Sequence, residues 1–165
     1  MNDSIDICFI GEIMLGREVG QKFSKKKYKI VSSDLRNDIE ASDYVLANLE
    51  APISDTSDEN DIMTFVAKSE ILEEVKFVDA FSLANNHIND AGTVGIEDTI
   101  KALEKDGFIW NGFYETEYEP IIFEKNDIKC AIICCTDVLN IDISDEDFNK
   151  NLLWLDDSII DKTIL

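Results

Sequence analysis

Three short apolar runs rich in β-forming residues recur along the first half of the sequence, and polar residues follow each of them at once. The runs occupy residues 5–10 (IDICFI), 43–49 (DYVLANL) and 79–84 (DAFSLA). Their length and composition predict buried strands, the first of which stops at Gly11. Polar residues after each run are then expected at the strand ends.

Helical segments lie between and after the predicted strands, at residues 32–41, 69–77 and 93–107. In the last segment Ile96, Ile100 and Leu103 recur at helical spacing, and Gly107 stands where a C-terminal cap is expected. The alternation of strand and helix predicts an α/β fold with a parallel sheet and short crossovers.

The pattern changes at residues 119–137, where two apolar runs flank Asn126 and Asp127. An Asn-Asp pair tolerates the left-handed backbone of a tight turn, so these runs predict an antiparallel hairpin. The predicted fold class is therefore α/β: parallel strands with crossover helices, followed by an antiparallel hairpin. An ordinary apolar content of 45% over 165 residues predicts a single domain spanning residues 1–165.

Composition excludes several classes of partner. The 35 acidic and 15 basic residues give a formal charge of −20, which repels nucleic acid and anionic lipid. The N-terminus has no basic region, and no apolar stretch approaches the about 18 residues of a membrane span. As written, the sequence predicts a cytoplasmic protein with no membrane segment and no nucleic-acid partner. The four cysteines fall in apolar runs without paired spacing, which indicates buried reduced thiols.

Basic residues are concentrated in one place: six of the 15 lie between Arg17 and Lys29, with only Glu18 opposing them. A stretch of this kind is typical of a solvated helix or loop face. Because it follows the first predicted strand, it is alternatively a surface that attracts a phosphate or a polycarboxylate.

The candidate site consists of the polar residues that follow the three predicted strands: Glu12, Glu50 and the cluster at residues 85–90, which contains the only histidine, His87. Groups beyond the carboxyl ends of neighbouring parallel strands converge in space. Carboxylate and amide oxygens suit hard divalent cations, and an imidazole adds a ligand or a proton donor. The alternative is that the Asn and Asp side chains of the cluster only satisfy backbone groups in a tight turn.

Four stretches resemble, in order and spacing, the bacterial capsule-synthesis proteins of the CapA/PgsA family, which is associated with poly-γ-glutamate. They are FIGEIMLGR (9–17), ANLEAPIS (47–54), SLANNHINDAGTVGIEDTIKALEKDG (82–107) and PIIFEKNDIKCAIICCTD (120–137). The resemblance implies a fold similar to the calcineurin-like metallophosphoesterases, an α-β-β-α sandwich with a metal site at the strand ends. It also implies metal-assisted hydrolysis or transfer at a phosphoryl or amide centre.

The resemblance also implies a role for each matching position. Glu12 stands where the family usually has the aspartate of a Gly-Asp-x-Met-x-Gly pattern, the first metal-ligand position, and Glu50 stands at the second. Asn86 matches the metal-ligating amide, and His87 matches the imidazole that protonates a leaving group or orients the substrate. The implied metal is Mn, Zn or Fe.

Three further residues complete the predicted site. Asp90 is expected to orient His87, and Asn85 and Arg17 are candidates for contact with the substrate. The expected partner is an anionic polymer or a phosphorylated substrate.

The histidine-containing motifs that complete the family's metal site have no counterpart among these 165 residues. We therefore expect either the N-terminal part of a longer protein or a truncated, inactive descendant. The alternative function is a non-catalytic binding or assembly module. Family members are often membrane-associated. Without the partner sheet of the sandwich, apolar residues such as Ile132, Ile133 and residues 159–165 would be exposed, which predicts self-association or marginal stability.

Overall fold

The computed structural model describes residues 4–57, 65–113 and 119–138, together with residues 140 and 152. Its elements in chain order are β1 (Ile7–Ile13), α1 (Arg17–Lys25), α2 (Ser33–Glu40), β2 (Tyr44–Leu49), a 3₁₀ helix (Ser69–Val75), β3 (Ala80–Ser82), α3 (Gly92–Asp106), β4 (Ile109–Asn111), β5 (Ile121–Lys125) and β6 (Ile128–Ile132).

The first four strands form a parallel sheet in the order β1-β2-β3-β4. The helices lie in the connections between these strands, and β5 and β6 pair separately as an antiparallel ribbon. The predicted fold class is therefore confirmed: a mixed α/β structure with a parallel sheet, crossover helices and a hairpin.

The first strand is longer than the sequence indicates. The prediction that it stops at Gly11 is wrong, because β1 continues to Ile13 and Glu12 lies within it. A register shift between Ile10 and Glu12 marks a bulge, after which Glu12 pairs with Asn48 of β2. Backbone pairing with a neighbouring strand outweighs the weak strand preference of glycine and glutamate.

The helical segment predicted at residues 69–77 is confirmed as a 3₁₀ helix over Ser69–Val75. One element departs from the sequence prediction. Strand β4 was not predicted, and it follows α3 directly. The α3 helix ends as expected at Gly107, whose φ of 81° allows Phe108 N–H to donate to Leu103 O at 3.0 Å.

The hairpin turns at the residues that predicted it. Asn126 and Asp127 have φ angles of 51° and 64°, the left-handed backbone that a two-residue turn requires. The Tyr44 ring stacks on Phe123 with 4.2 Å between centroids, and Tyr44 Oη donates to Glu124 O at 2.7 Å. These contacts attach the hairpin to β2 of the parallel sheet.

The cysteines and the predicted apolar face lie as follows. All four cysteines are free, and Cys134 is buried whereas the other three are half-buried. Ile132 and Ile133 are half-buried, and residues 159–165 lie outside the described residues. Self-association therefore stays a prediction.

None of the helices among the described residues has the length and apolar content needed to cross a membrane.

The segment that follows β2 is attached to α3 by a buried hydroxyl. Thr99 Oγ1 accepts a hydrogen bond from Ile53 N–H at 2.8 Å and donates to Gly95 O at 2.7 Å. Ser54 Oγ donates to Asp98 Oδ2 at 2.7 Å. These bonds fix the chain just after Glu50, so they help to fix the position of the Glu50 carboxylate at the end of β2.

We expect Thr99→Val to lower the free energy of unfolding by about 1–3 kcal/mol, because it leaves the buried Ile53 N–H without an acceptor. Urea denaturation measures the change. Thr99→Ser, which keeps the hydroxyl, is the matched control and should lose less. Equal stability of the valine variant and the parent would contradict this role for Thr99.

Candidate active site

The buried amide of Asn85 joins the ends of β2 and β3. Its Nδ2 donates to Asn48 Oδ1 at 3.0 Å and to Leu49 O at 2.9 Å, and its Oδ1 accepts from His87 N–H at 2.9 Å. Asn48 in turn donates through Nδ2 to Glu50 Oε2. A buried polar group with its partners satisfied fixes local geometry. The Asn85 amide therefore sets the position of His87 relative to Glu50.

A close backbone approach holds the same loop from the side of β4. Leu83 N–H donates to Asn111 O at 2.7 Å, and the next residue, Gly112, has a φ of 104°. A Cβ at Gly112 would lie 2.5 Å from Ala84 N, so only glycine fits there. The loop that carries His87 is thus fixed by both neighbours of β3.

His87 lies between two carboxylates. Its Nδ1 is 3.0 Å from Asp90 Oδ2, and its Nε2 is 3.9 Å from Glu50 Oε1. Asp90 Oδ2 also accepts the Phe65 backbone N–H at 2.9 Å. Because an ionised carboxylate only accepts hydrogen bonds, we assign the Nδ1 proton to the bond with Asp90. That assignment leaves Nε2, on the side of Glu50, as the ring nitrogen that does not bind Asp90.

Glu50 is buried, with only 6% of the residue exposed. Burial raises the pKa of Glu50, and the negative charge of Glu12 raises it further, whereas His87 and the hydrogen bond from Asn48 act in the opposite direction. A carboxyl group with a raised pKa beside an imidazole is typical of sites that transfer protons.

Two aromatic contacts complete the surroundings of His87. The Phe65 ring lies on the imidazole with 4.0 Å between centroids and a tilt of 32°. The Arg17 guanidinium carbon lies 3.8 Å from the centroid of the same Phe65 ring. Asn140 Nδ2 lies 3.4 Å from His87 Nδ1 and 3.5 Å from His87 Nε2. Sequence reasoning missed Phe65 and Asn140, because nothing local in their segments indicates a contact with His87.

The predicted site residues differ in how closely they meet. Glu50, His87 and Asp90 come together, and Arg17 reaches them through Phe65. Glu12 is exposed in β1 but close enough to influence the pKa of Glu50.

The two asparagines of the cluster have different surroundings. Asn86 is half-buried, and its side chain has no hydrogen-bond partner among the described residues. The role of Asn85 in substrate binding stays a prediction, and its three hydrogen bonds within the protein favour a positioning role.

The described residues alone do not complete a metal site. Among them, no group of three or more His, Cys, Asp or Glu side chains is placed to hold a metal ion. The Nε2 atom of His87 lies 3.9 Å from Glu50 Oε1, and its Nδ1 atom lies 3.0 Å from Asp90 Oδ2. Divalent cations in proteins take at least four ligands, so the carboxylates and imidazole present here would be one side of such a site.

Fold and site together define an α/β protein with carboxyl and imidazole groups gathered beyond the carboxyl end of a parallel sheet. Residues 6–158 match the family described as "Bacterial capsule synthesis protein PGA_cap". The chain therefore belongs to this family of bacterial capsule synthesis proteins.

Two relatives illustrate the similarity. The chain is 28% identical over 148 residues to the capsule biosynthesis protein CapA of Bacillus anthracis, across 82% of this chain and 36% of the relative. It is also 28% identical over 147 residues to the PGA biosynthesis protein CapA of Bacillus subtilis (strain 168), across 83% and 38%. The chain spans a little over a third of the length of these curated relatives.

The raised pKa of Glu50 has a consequence for stability. The folded state binds the Glu50 proton more tightly than the unfolded chain does, so ionisation of Glu50 opposes folding. Its unfavourable contribution is absent below the ordinary pKa of glutamate and fully present above the raised value. We therefore expect Glu50→Gln to be more stable than the parent at about pH 7 and the difference to vanish at about pH 4.

Urea denaturation in the presence of a chelator measures this difference, since a bound cation would offset the charge. Glu104→Gln, which changes an exposed glutamate on α3, is the control and should show no such pH dependence. A Glu50→Gln variant less stable than the parent at about pH 7 would refute the prediction.

Proposed function

We propose that this chain carries part of the active site of a metal-assisted hydrolase or transferase that acts in capsule biosynthesis, on poly-γ-glutamate or a phosphorylated precursor. The observation that carries the proposal is the position of His87, with Nδ1 held by Asp90 at 3.0 Å and Nε2 directed to Glu50 at 3.9 Å. Membership of the capsule synthesis family supports the biological setting. The reaction is breakage or transfer at a phosphoryl or amide centre.

His87 is the proton-transferring group of the proposed mechanism. Asp90 holds the Nδ1 proton, which fixes the ring orientation and stabilises the doubly protonated imidazolium. Nε2 then delivers its proton to the leaving group of the substrate and recovers one in the next turnover. Glu50 lies on the Nε2 side of the ring, where its carboxylate stabilises the charged imidazole.

A divalent cation, Mn, Zn or Fe, is part of the proposal. Glu12, Glu50 and Asn86 would hold it, with the remaining ligands contributed from outside the described residues. When bound, such a cation lowers the pKa of a water molecule and polarises the bond to be broken. Coulombic repulsion between Glu12 and Glu50 supports this assignment, because two neighbouring carboxylates are stabilised by a shared cation.

The proposed substrate is anionic, and the α1 region supplies the basic groups that would attract it. Arg17 and Lys25 lie in α1, in a chain whose formal charge is −20. Without a local basic surface, a chain this acidic would repel a polyglutamate or a phosphate ester. Arg17 is the group that contacts the substrate in this proposal, because its guanidinium lies over the ring that packs on His87.

A second candidate function is a non-catalytic binding or assembly module that retains the sheet and has lost the cation. One observation favours it: the described residues contain no group of three or more metal-ligating His, Cys, Asp or Glu side chains. In this case the same basic surface would bind an anionic polymer without breaking it.

Metal retention separates the two functions. The enzyme should keep about one Mn, Zn or Fe per chain after dialysis and lose it in Asn86→Ala. Asn37→Ala, an exposed change in α2, is the matched control and should keep the metal. A protein without metal before and after the Asn86 change would be the binding module, and the enzymatic proposal would fail.

Hydrolysis of p-nitrophenyl phosphate in the presence of Mn²⁺ tests the role of His87. We expect His87→Gln to lower kcat by about 100-fold or more, and Asp90→Asn to lower it less, because proton transfer at Nε2 is lost in the first and only misoriented in the second. Metal content should be unchanged in both variants. Unaltered turnover in His87→Gln would exclude this residue as the proton donor.

A further inference from the structure

We propose that Phe65 is a positioning residue whose ring holds His87 on one face and Arg17 on the other, which couples anion binding at Arg17 to the orientation of the imidazole. The inference rests on the proposed function, since it assigns the residue that aligns the anion-binding and proton-transferring groups of that site. Phe65 itself contacts no reacting atom in this scheme.

The distances require two faces. The Arg17 guanidinium carbon is 3.8 Å and the His87 ring centroid 4.0 Å from the centroid of Phe65. One face of a phenyl ring is about the size of a single planar group at van der Waals distance, so both groups cannot occupy the same face. The order through the stack is therefore Arg17, Phe65, His87.

The backbone of Phe65 acts on the same histidine as its ring does. Phe65 N–H donates to Asp90 Oδ2 at 2.9 Å, and that oxygen also accepts from His87 Nδ1 at 3.0 Å. The ring fixes the plane of the imidazole, and the backbone fixes the carboxylate that determines its rotation. Two contacts from one residue, one through its ring and one through its backbone N–H, therefore act on the orientation of His87.

The backbone at Arg17 and Gly16 also favours the contact between Arg17 and Phe65. Arg17 has a φ of 53°, a left-handed backbone that is strained for a non-glycine residue and is found where surrounding contacts enforce it. At the preceding residue, Gly16, a Cβ would lie 3.1 Å from Phe65 C and from Val66 N. The missing side chain therefore lets the start of α1 pack directly on the segment that carries Phe65.

The stack also has favourable electrostatics. The faces of an aromatic ring are negative, so a guanidinium on one face and an imidazolium on the other are both attracted to it. An anion that binds Arg17 is then held at a fixed spacing from His87, with the Phe65 ring between the two groups. That spacing is a specificity determinant: it selects substrates whose anionic group lies at this separation from the bond that accepts the His87 proton.

His87 is the only histidine of the chain, so its two carbon-bound ring protons give unique NMR resonances. In the unaltered protein we expect both resonances upfield of their position in the unfolded chain and a nuclear Overhauser effect to the Phe65 ring. Phe65→Leu, which keeps the backbone N–H, should move both resonances downfield. Phe65→Tyr should retain the upfield position, and Phe9→Leu, an exposed change in β1, should have no effect.

Inorganic phosphate tests the coupling. Phosphate should shift the His87 resonances of the parent, and its Kd should rise about tenfold in Phe65→Leu, with recovery in Phe65→Tyr. An unaltered protein without the upfield shift and Overhauser effect overturns the proposal, as does a Phe65→Leu variant with unchanged resonances and Kd.

These measurements need neither a metal nor turnover. A chain without metal before and after the Asn86 change would refute the proposed enzymatic function and leave the Phe65 stack intact. Normal activity together with unperturbed His87 resonances in Phe65→Leu would refute the stack alone.

Discussion

The buried amide of Asn85 is the constraint on which the candidate site depends. In many α/β sheets a reversal of strand order opens a crevice for ligands, but the order β1-β2-β3-β4 has no reversal. The site arises instead because the loop after β3 folds back over the end of β2, and the Asn85 hydrogen bonds to Asn48, Leu49 and His87 hold it there. Because Asn85 is buried, each bond that it lost would leave a polar group unsatisfied, at about 1–3 kcal/mol.

Two features that raise the free energy of the folded state lie close to this loop. Glu50 is buried beside the negative charge of Glu12, and Arg17 adopts a left-handed backbone. Neither feature serves folding, since each raises the free energy of the folded state. Proteins retain such costs mainly where function requires a particular charge or geometry. Their presence within one set of contacts around His87 is physical support for a functional site that does not depend on similarity to relatives.

Sequence patterns predicted the parts of the structure that local chemistry determines. The glycine cap of α3 and the turn at Asn126 and Asp127 follow from backbone preferences, so they were identified correctly. The end of β1 and the existence of β4 depend on pairing with distant strands, which no local pattern reports. The same distinction holds in the site: the contact of His87 with Asp90 spans three positions, whereas Phe65 N–H reaches Asp90 across 25.

The sequential order of the parallel strands has a consequence for biosynthesis. In the sheet of the described residues, each strand after β1 pairs with a strand that has already been synthesised, and no later strand inserts between two earlier ones. The Asn85 bonds, the Asp90 pair and the Phe65 contacts all join residues between positions 17 and 90. The nascent chain therefore contains both residues of each of these contacts before α3 has been translated.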